Sequence, residues 1–273
     1  MALFVNTNAA ALNAQRHIEE SSEGLRTAFE RLSSGLRINN AYDDAAGLAV
    51  ADRLGADVRI ATQAIRNAND GLSALAIGEK ALGNATDILT RLSELASESA
   101  TGVISNTQRS AIQAEFGQLV SEIDRISNTT SFNGVRLLSS GTTVTLQVGL
   151  DGTSNSQIAF STVDGSSSGV GVSGIAVSTQ AAAQSALVSL TSAIANVAQT
   201  RGTLGAYESR LLTAISNLRV ASENFSAAES RIRDADVAAE TANLTRSTIL
   251  QQAGVAVLAQ ANQQPSIALT LLR

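Results

Sequence analysis

Apolar residues recur every seven positions over most of the chain. Between Leu187 and Ile232 the residues Leu190, Val197, Leu204, Leu211, Leu218, Phe225 and Ile232 fall at steps of seven, with Leu187, Ile194 and Ile215 on the adjoining seam. A 3.5-residue period draws one stripe along a helix and implies left-handed supercoiling, so this stretch predicts a long, coiled-coil-like helix. The N-terminal half offers a partner in Leu54, Ala61, Ala68, Leu75, Leu82, Leu89 and Ala96, flanked by Val58, Ile65 and Leu72. A shorter helix presents Ile112, Phe116, Leu119, Ile123 and Ile126 on one face, after a break at 101–107 rich in Gly, Asn, Ser and Thr. Three stripes can therefore be buried together.

The chain ends carry stripes of their own. Phe4, Ala11, Ile18, Leu25 and Leu32 are seven apart and stop at Ser33-Ser34-Gly35, where Gly supplies a left-handed helix end. Residues 36–44 read as a connector in which Asn40 or Asp43 caps the next helix. At the other end, 247–272 holds no charged residue, but its Gln and Asn residues and Pro265 argue against a membrane span. It reads as a segment buried against protein. The middle differs: Val144, Leu146 and Val148 alternate, Asp151-Gly152 supplies a turn, and 158–163 returns with β-favouring residues. From 164 to 178 the Ser- and Gly-rich composition predicts a flexible linker. The expected fold is mainly α, a long coiled-coil-like bundle drawn from both chain ends with a small β-hairpin region in the middle.

Composition narrows the function. Of 273 residues 44% are apolar, yet aromatics are 3%, Trp and Cys are absent and Pro occurs once, which suits long thin helices. A net charge of −5 with Arg dispersed among acids excludes a basic nucleic-acid stripe. No apolar run follows a basic start, so a cleaved leader is not expected. His17 stands alone, without the second His a zinc-protease helix needs. Asp43 and Asp44 are adjacent and serve as cap and first-turn dipole partner rather than as an acid–base pair. Gly169, Gly171 and Gly174 match a dinucleotide-loop spacing, but no strand precedes them and no helix opens at once behind them. Neither an enzyme nor a cofactor nor a metal is expected.

Longer motifs carry a family likeness. Residues 30–39 (ERLSSGLRIN), 43–49 (DDAAGLA) and 67–71 (NANDG) resemble the N-terminal signature of bacterial flagellins, and 132–134 (FNG), 201–206 (RGTLGA), 230–236 (SRIRDAD), 249–253 (ILQQA) and 258–263 (LAQANQ) resemble its later landmarks. The likeness spans about 1–140 and 181–273. It implies a structural subunit that polymerises into the extracellular flagellar filament, a homo-oligomer. It also implies type III export, with an export chaperone, cap and hook-junction proteins as partners. Its implied domains are an inner one from 1–41 and 232–273 and an outer bundle from 42–140 and 181–231. Residues 141–180 stand as a reduced variable region. A hook-filament junction protein and a surface adhesin are the alternatives.

Two sets of residues follow. The assembly interface is expected on the terminal helices, at Phe4, Ala11, Ile18, Leu25, Leu32, Ile249, Val255, Leu258, Leu269 and Leu272. Terminal segments that lack a core of their own are expected to be unfolded in the monomer and to order on assembly. By resemblance, Arg91, Leu95 and Glu115 form an exposed face where a flagellin-sensing Toll-like receptor contacts related proteins, although Thr90 and Ser93 depart from the usual neighbours.

Overall fold

The computed structural model describes the backbone of residues 7–271 and the side chains of 7–263. The expected sites Phe4 and Leu272 lie outside the described residues, as does the side chain of Leu269. In chain order the elements are α1 (Ala9–Ser34), α2 (Ala45–Ala100), α3 (Asn106–Thr129), β1 (Ser131–Phe132), β2 (Val135–Arg136), β3 (Thr143–Gln147), β4 (Gln157–Ser161), α4 (Ser167–Val170), α5 (Gln180–Arg233) and α6 (Val237–Leu271). They form two compact units, Met1–Ala56 with Asn224–Arg273 and Asp57–Glu223.

Caps fix the helix ends. Asn8 Oδ1 accepts from Ala11 N–H at 3.1 Å to open α1, and Gly35 closes it at φ 73°, a left-handed conformation that costs Gly little. Helix α2 is opened by Asp44, whose carboxylate accepts from Gly47 N–H at 2.8 Å. Neither expected cap serves there. The Asp43 carboxylate instead accepts from the N–H groups of Asn40 and Asn39, at 2.9 and 3.1 Å, and folds the connector back on itself. Ser105 and Gln108 form a capping box at the start of α3.

The unit from Asp57 to Glu223 has a full core. Ala61, Ala68, Leu75, Leu82, Leu89 and Ala96 on α2, Phe116 and Ile123 on α3, and Leu190, Val197, Leu204, Leu211 and Leu218 on α5 are all buried. Helices α2 and α5 run antiparallel: Arg201 meets Glu79, and in the other unit Arg233 meets Asp52. The β3–β4 hairpin is antiparallel, pairing Val144 with Phe160 and Leu146 with Ile158. It lies so close to α2 that a side chain at Gly71 would collide with Leu146. Phe160 also tilts against Tyr207 of α5, ring centres 6.2 Å apart.

Two features depart from expectation. The 164–178 stretch is an ordered, packed segment, because Val170, Val172 and Val177 are buried in the core and Asp124 accepts from both N–H and Oγ of Ser167 at the start of α4. The Ser and Gly residues around those valines shape turns, with Gly171 and Gly174 at positive φ. A second small ribbon, β1–β2, turns at Asn133-Gly134, both at positive φ as a two-residue hairpin turn needs.

Candidate assembly interface

The other unit is a thin antiparallel pair, α1 against α6. Asn8 Nδ2 donates to the Ala261 carbonyl (2.8 Å), Gln251 Nε2 to Ser22 Oγ (3.0 Å) and Arg31 Nη1 to Glu240 Oε1 (2.8 Å). A Cβ on Gly254 would stand 2.8 Å from Ile18 Cγ1, so Gly is what lets the backbones close up there. Below the pair, the connectors bond to each other, Arg37 N–H to the Arg233 carbonyl at 2.6 Å and Ala235 N–H to the Gly35 carbonyl at 2.9 Å.

The covered face of α6 is Glu240, Leu244, Ser247, Gln251, Gly254, Leu258 and Ala261, at alternating steps of four and three. This is a heptad seam. Sequence reasoning missed it because only Leu244, Leu258 and Ala261 are apolar. The seven-residue spacing of Ser247, Gly254 and Ala261, all small, was the available signal. Opposite them, Ala11, Ile18, Leu25 and Leu32 are half-buried and Ala14 and Ala28 fully so. The expected interface residues are thus divided. Ala11, Ile18, Leu25, Leu32 and Leu258 lie on the seam within one chain, whereas Ile249 and Val255 point outward.

Electrostatics add specificity to a weak seam. Glu240 is buried, and hydrogen bonds from Arg31 and then Asn243 hold its carboxyl below the usual carboxylate range. His17 is exposed and faces Glu20 at 3.2 Å, one turn along α1. Among the described residues of this unit the buried hydrophobics are Ala14, Ala28, Ile38, Ala51 and Ala261, so only one is larger than Ala. Leu12, Phe29, Val50, Val237, Ile249, Leu250, Val255 and Val257 are exposed instead.

The Arg91, Leu95 and Glu115 face does not hold together as a surface. Leu95 is 2% exposed and belongs to the core, because three-helix packing covers α2 on a wider arc than one stripe. Arg91 and Glu115 are about half exposed and joined at 2.9 Å, with Glu94 also 2.9 Å from Arg91. Surrounding acids raise the Arg91 pKa, Glu94 first and then Glu115.

Comparison with known proteins decides the family. A model of the bacterial flagellin N-terminal helical region matches residues 5–143, and one of the C-terminal helical region matches 187–272. The chain belongs to the bacterial flagellin family. Flagellin from Halalkalibacterium halodurans is 43% identical over 272 residues, covering 99% of this chain and 100% of that protein. The flagellar filament 30.7 kDa core protein of Treponema maltophilum is 37% identical over 284 residues, again covering 99% and 100%. The crystal structure of Bacillus cereus flagellin aligns with a TM-score of 0.51 at 26% identity, over 56% of this chain and 88% of that one. The chain is accordingly a structural subunit, not an enzyme, that polymerises with itself into the extracellular filament of the flagellum.

Proposed function

We propose that the outward face of the α1–α6 pair is the surface through which copies join, with Ile249, Leu250, Val255 and Val257 as its apolar anchors. The observation that supports this is the mismatch between a core made almost wholly of Ala and the large aliphatic side chains left exposed beside it. A patch of that kind on a polymerising protein is an interface awaiting a partner. A pair this thin holds little stability alone, so its ordering is completed by neighbouring copies and polymerisation is coupled to folding. In this reading residues 1–41 and 232–273 form the inner part of the filament and 42–140 with 181–231 the outer part. Type III export with a chaperone, and growth under a cap from hook-junction proteins, complete the proposal by family likeness.

Negative-stain microscopy of purified protein during salt-induced polymerisation tests it. Wild type should give long filaments and Ile249→Asp with Val257→Asp should give none; filaments from the double variant would refute the assignment. Receptor contact is proposed only for Arg91 and Glu115, which are accessible. Arg91→Ala monomer should signal less than wild type on cells bearing the flagellin-sensing Toll-like receptor, and equal signalling removes Arg91 from the site.

A further inference from the structure

Within the unit from Asp57 to Glu223, a cleft of about 130 Å³ opens between α2 and the two β ribbons. Asp70, Gly71 and Ala74 form one wall, Phe132 and Val135 another, and Leu146 lies among them. The cleft is largely apolar, and Val135 at its edge is partly exposed. No side chain of the same unit fills it. At the far end of α2, the turn into α3 carries Val103, at 89% the most exposed of the exposed large hydrophobics. Cleft and projecting valine lie on one helix but about 30 residues apart, about 45 Å at the rise of an α-helix, so the valine cannot reach the cleft of its own chain.

Charges around the two features are complementary. Arg66, one turn before Asp70 and on the same face of α2, and Arg136, next to Val135, are both exposed and make no ion pair. They outnumber Asp70 at the rim. Glu98, in the last turn of α2 beside the valine, is likewise exposed and without an ion pair.

We propose that the cleft receives Val103 of a second copy of this chain, with Glu98 of that copy meeting the basic rim. A knob on one end and a matching hole elsewhere on the same subunit make a heterologous contact, which does not close and therefore propagates. It is a contact separate from the terminal helices and rests only on the self-polymerisation of the chain. It sets a translation of about 45 Å along α2 between successive copies.

Because the chain has no Cys, a pair of introduced thiols reports the contact cleanly. Val103→Cys combined with Val135→Cys should give, on mild oxidation of filaments, a ladder of disulfide-linked oligomers on non-reducing gels, and no cross-link in the unpolymerised protein. Filaments that form and oxidise without a ladder overturn the proposal. If the thiol variant does not polymerise, charge reversal decides. Arg66→Glu with Arg136→Glu should slow seeded elongation about tenfold, and adding Glu98→Arg should restore it. Failure of that restoration overturns the proposal. Val103→Asp should weaken incorporation about tenfold or more, the worth of one buried valine, while leaving the monomer's melting unchanged; wild-type incorporation overturns the contact.

Discussion

Replacing Leu211 with Ala and Ile249 with Asp should separate folding from assembly. Leu211 is fully buried in the large unit, where a Leu→Ala change removes apolar contacts and leaves a cavity at a cost of about 3 kcal/mol. For a unit of this size each kcal/mol lowers Tm by about 3 °C, so the monomer should melt about 9 °C lower. Ile249 faces outward on α6 at 59% exposure, and exchanging it for Asp costs the monomer only a few tenths of a kcal/mol in helix propensity. In a filament the same carboxylate would be buried against a neighbour without a partner, at several kcal/mol. Leu258 is a poorer probe because it is half-buried on the seam, where a charge would part α1 from α6 in the subunit itself. Circular dichroism melts of monomers, followed by light scattering during seeded polymerisation, give both quantities. If Ile249→Asp lowers the melting temperature as far as Leu211→Ala, the outward face is already covered in the monomer and the reasoning fails. If it polymerises at the wild-type rate, the face is not an assembly surface.

Three further outcomes follow from the geometry. Gly254→Ala should weaken the terminal pair despite the better helix propensity of Ala, and Ile18→Ala should reverse the loss; helicity and filament yield of the single and double variants check this. Glu240 has a lowered folded pKa, so its contribution is present above its unfolded pKa, near 4.5, and is lost as pH falls through the lower folded value. Acid titration of helicity in wild type should therefore contain a component below about pH 4.5 that Glu240→Gln lacks. Arg109 is buried and donates to the Ser99 and Thr101 carbonyls, each at 2.9 Å, and to Asn106 Oδ1 at 3.2 Å. Arg109→Ala should cost about 3 kcal/mol by denaturant unfolding, and Arg109→Lys most of it, since an ammonium cannot span both carbonyls in the same fork.

What the sequence made legible follows the size of the buried side chains. The α5 stripe from Leu190 to Leu218 and the α2 stripe from Ala61 to Ala96 announce themselves because large aliphatics repeat at seven and meet a real core. The α6 seam hides because Ser247, Gln251 and Gly254 occupy its central positions, and close helix approach, unlike apolar burial, leaves no hydropathy signal. Leu95 was misplaced for the converse reason. Standing one turn after Arg91, it shares a face with an exposed residue, but α3 and α5 together cover more of α2 than a single seam would. Composition misled at 164–178, where Val170, Val172 and Val177 supply the packing and the surrounding Ser and Gly supply only the turns. The Asn133-Gly134 turn was readable from its dipeptide alone, and its ribbon is short enough to leave no alternation to support it.

The contrast between the two units bears on why a subunit of this kind polymerises rather than remaining a monomer. In the large unit Leu75, Leu82, Leu89, Phe116, Leu190 and Leu211 bury one another, and its fold does not wait for a partner. In the terminal pair the residues that touch across the seam fix register: Arg31 finds Glu240, Gln251 finds Ser22, and Gly254 admits Ile18. Such polar pairs specify alignment better than they stabilise, because the desolvation of a buried ion pair offsets much of its attraction. The apolar side chains that would supply stability, Leu12, Phe29, Ile249, Leu250, Val255 and Val257, are turned to the outside. An arrangement that sets register internally but leaves its hydrophobic free energy to be realised between copies makes the ordered terminal pair and the filament products of the same step.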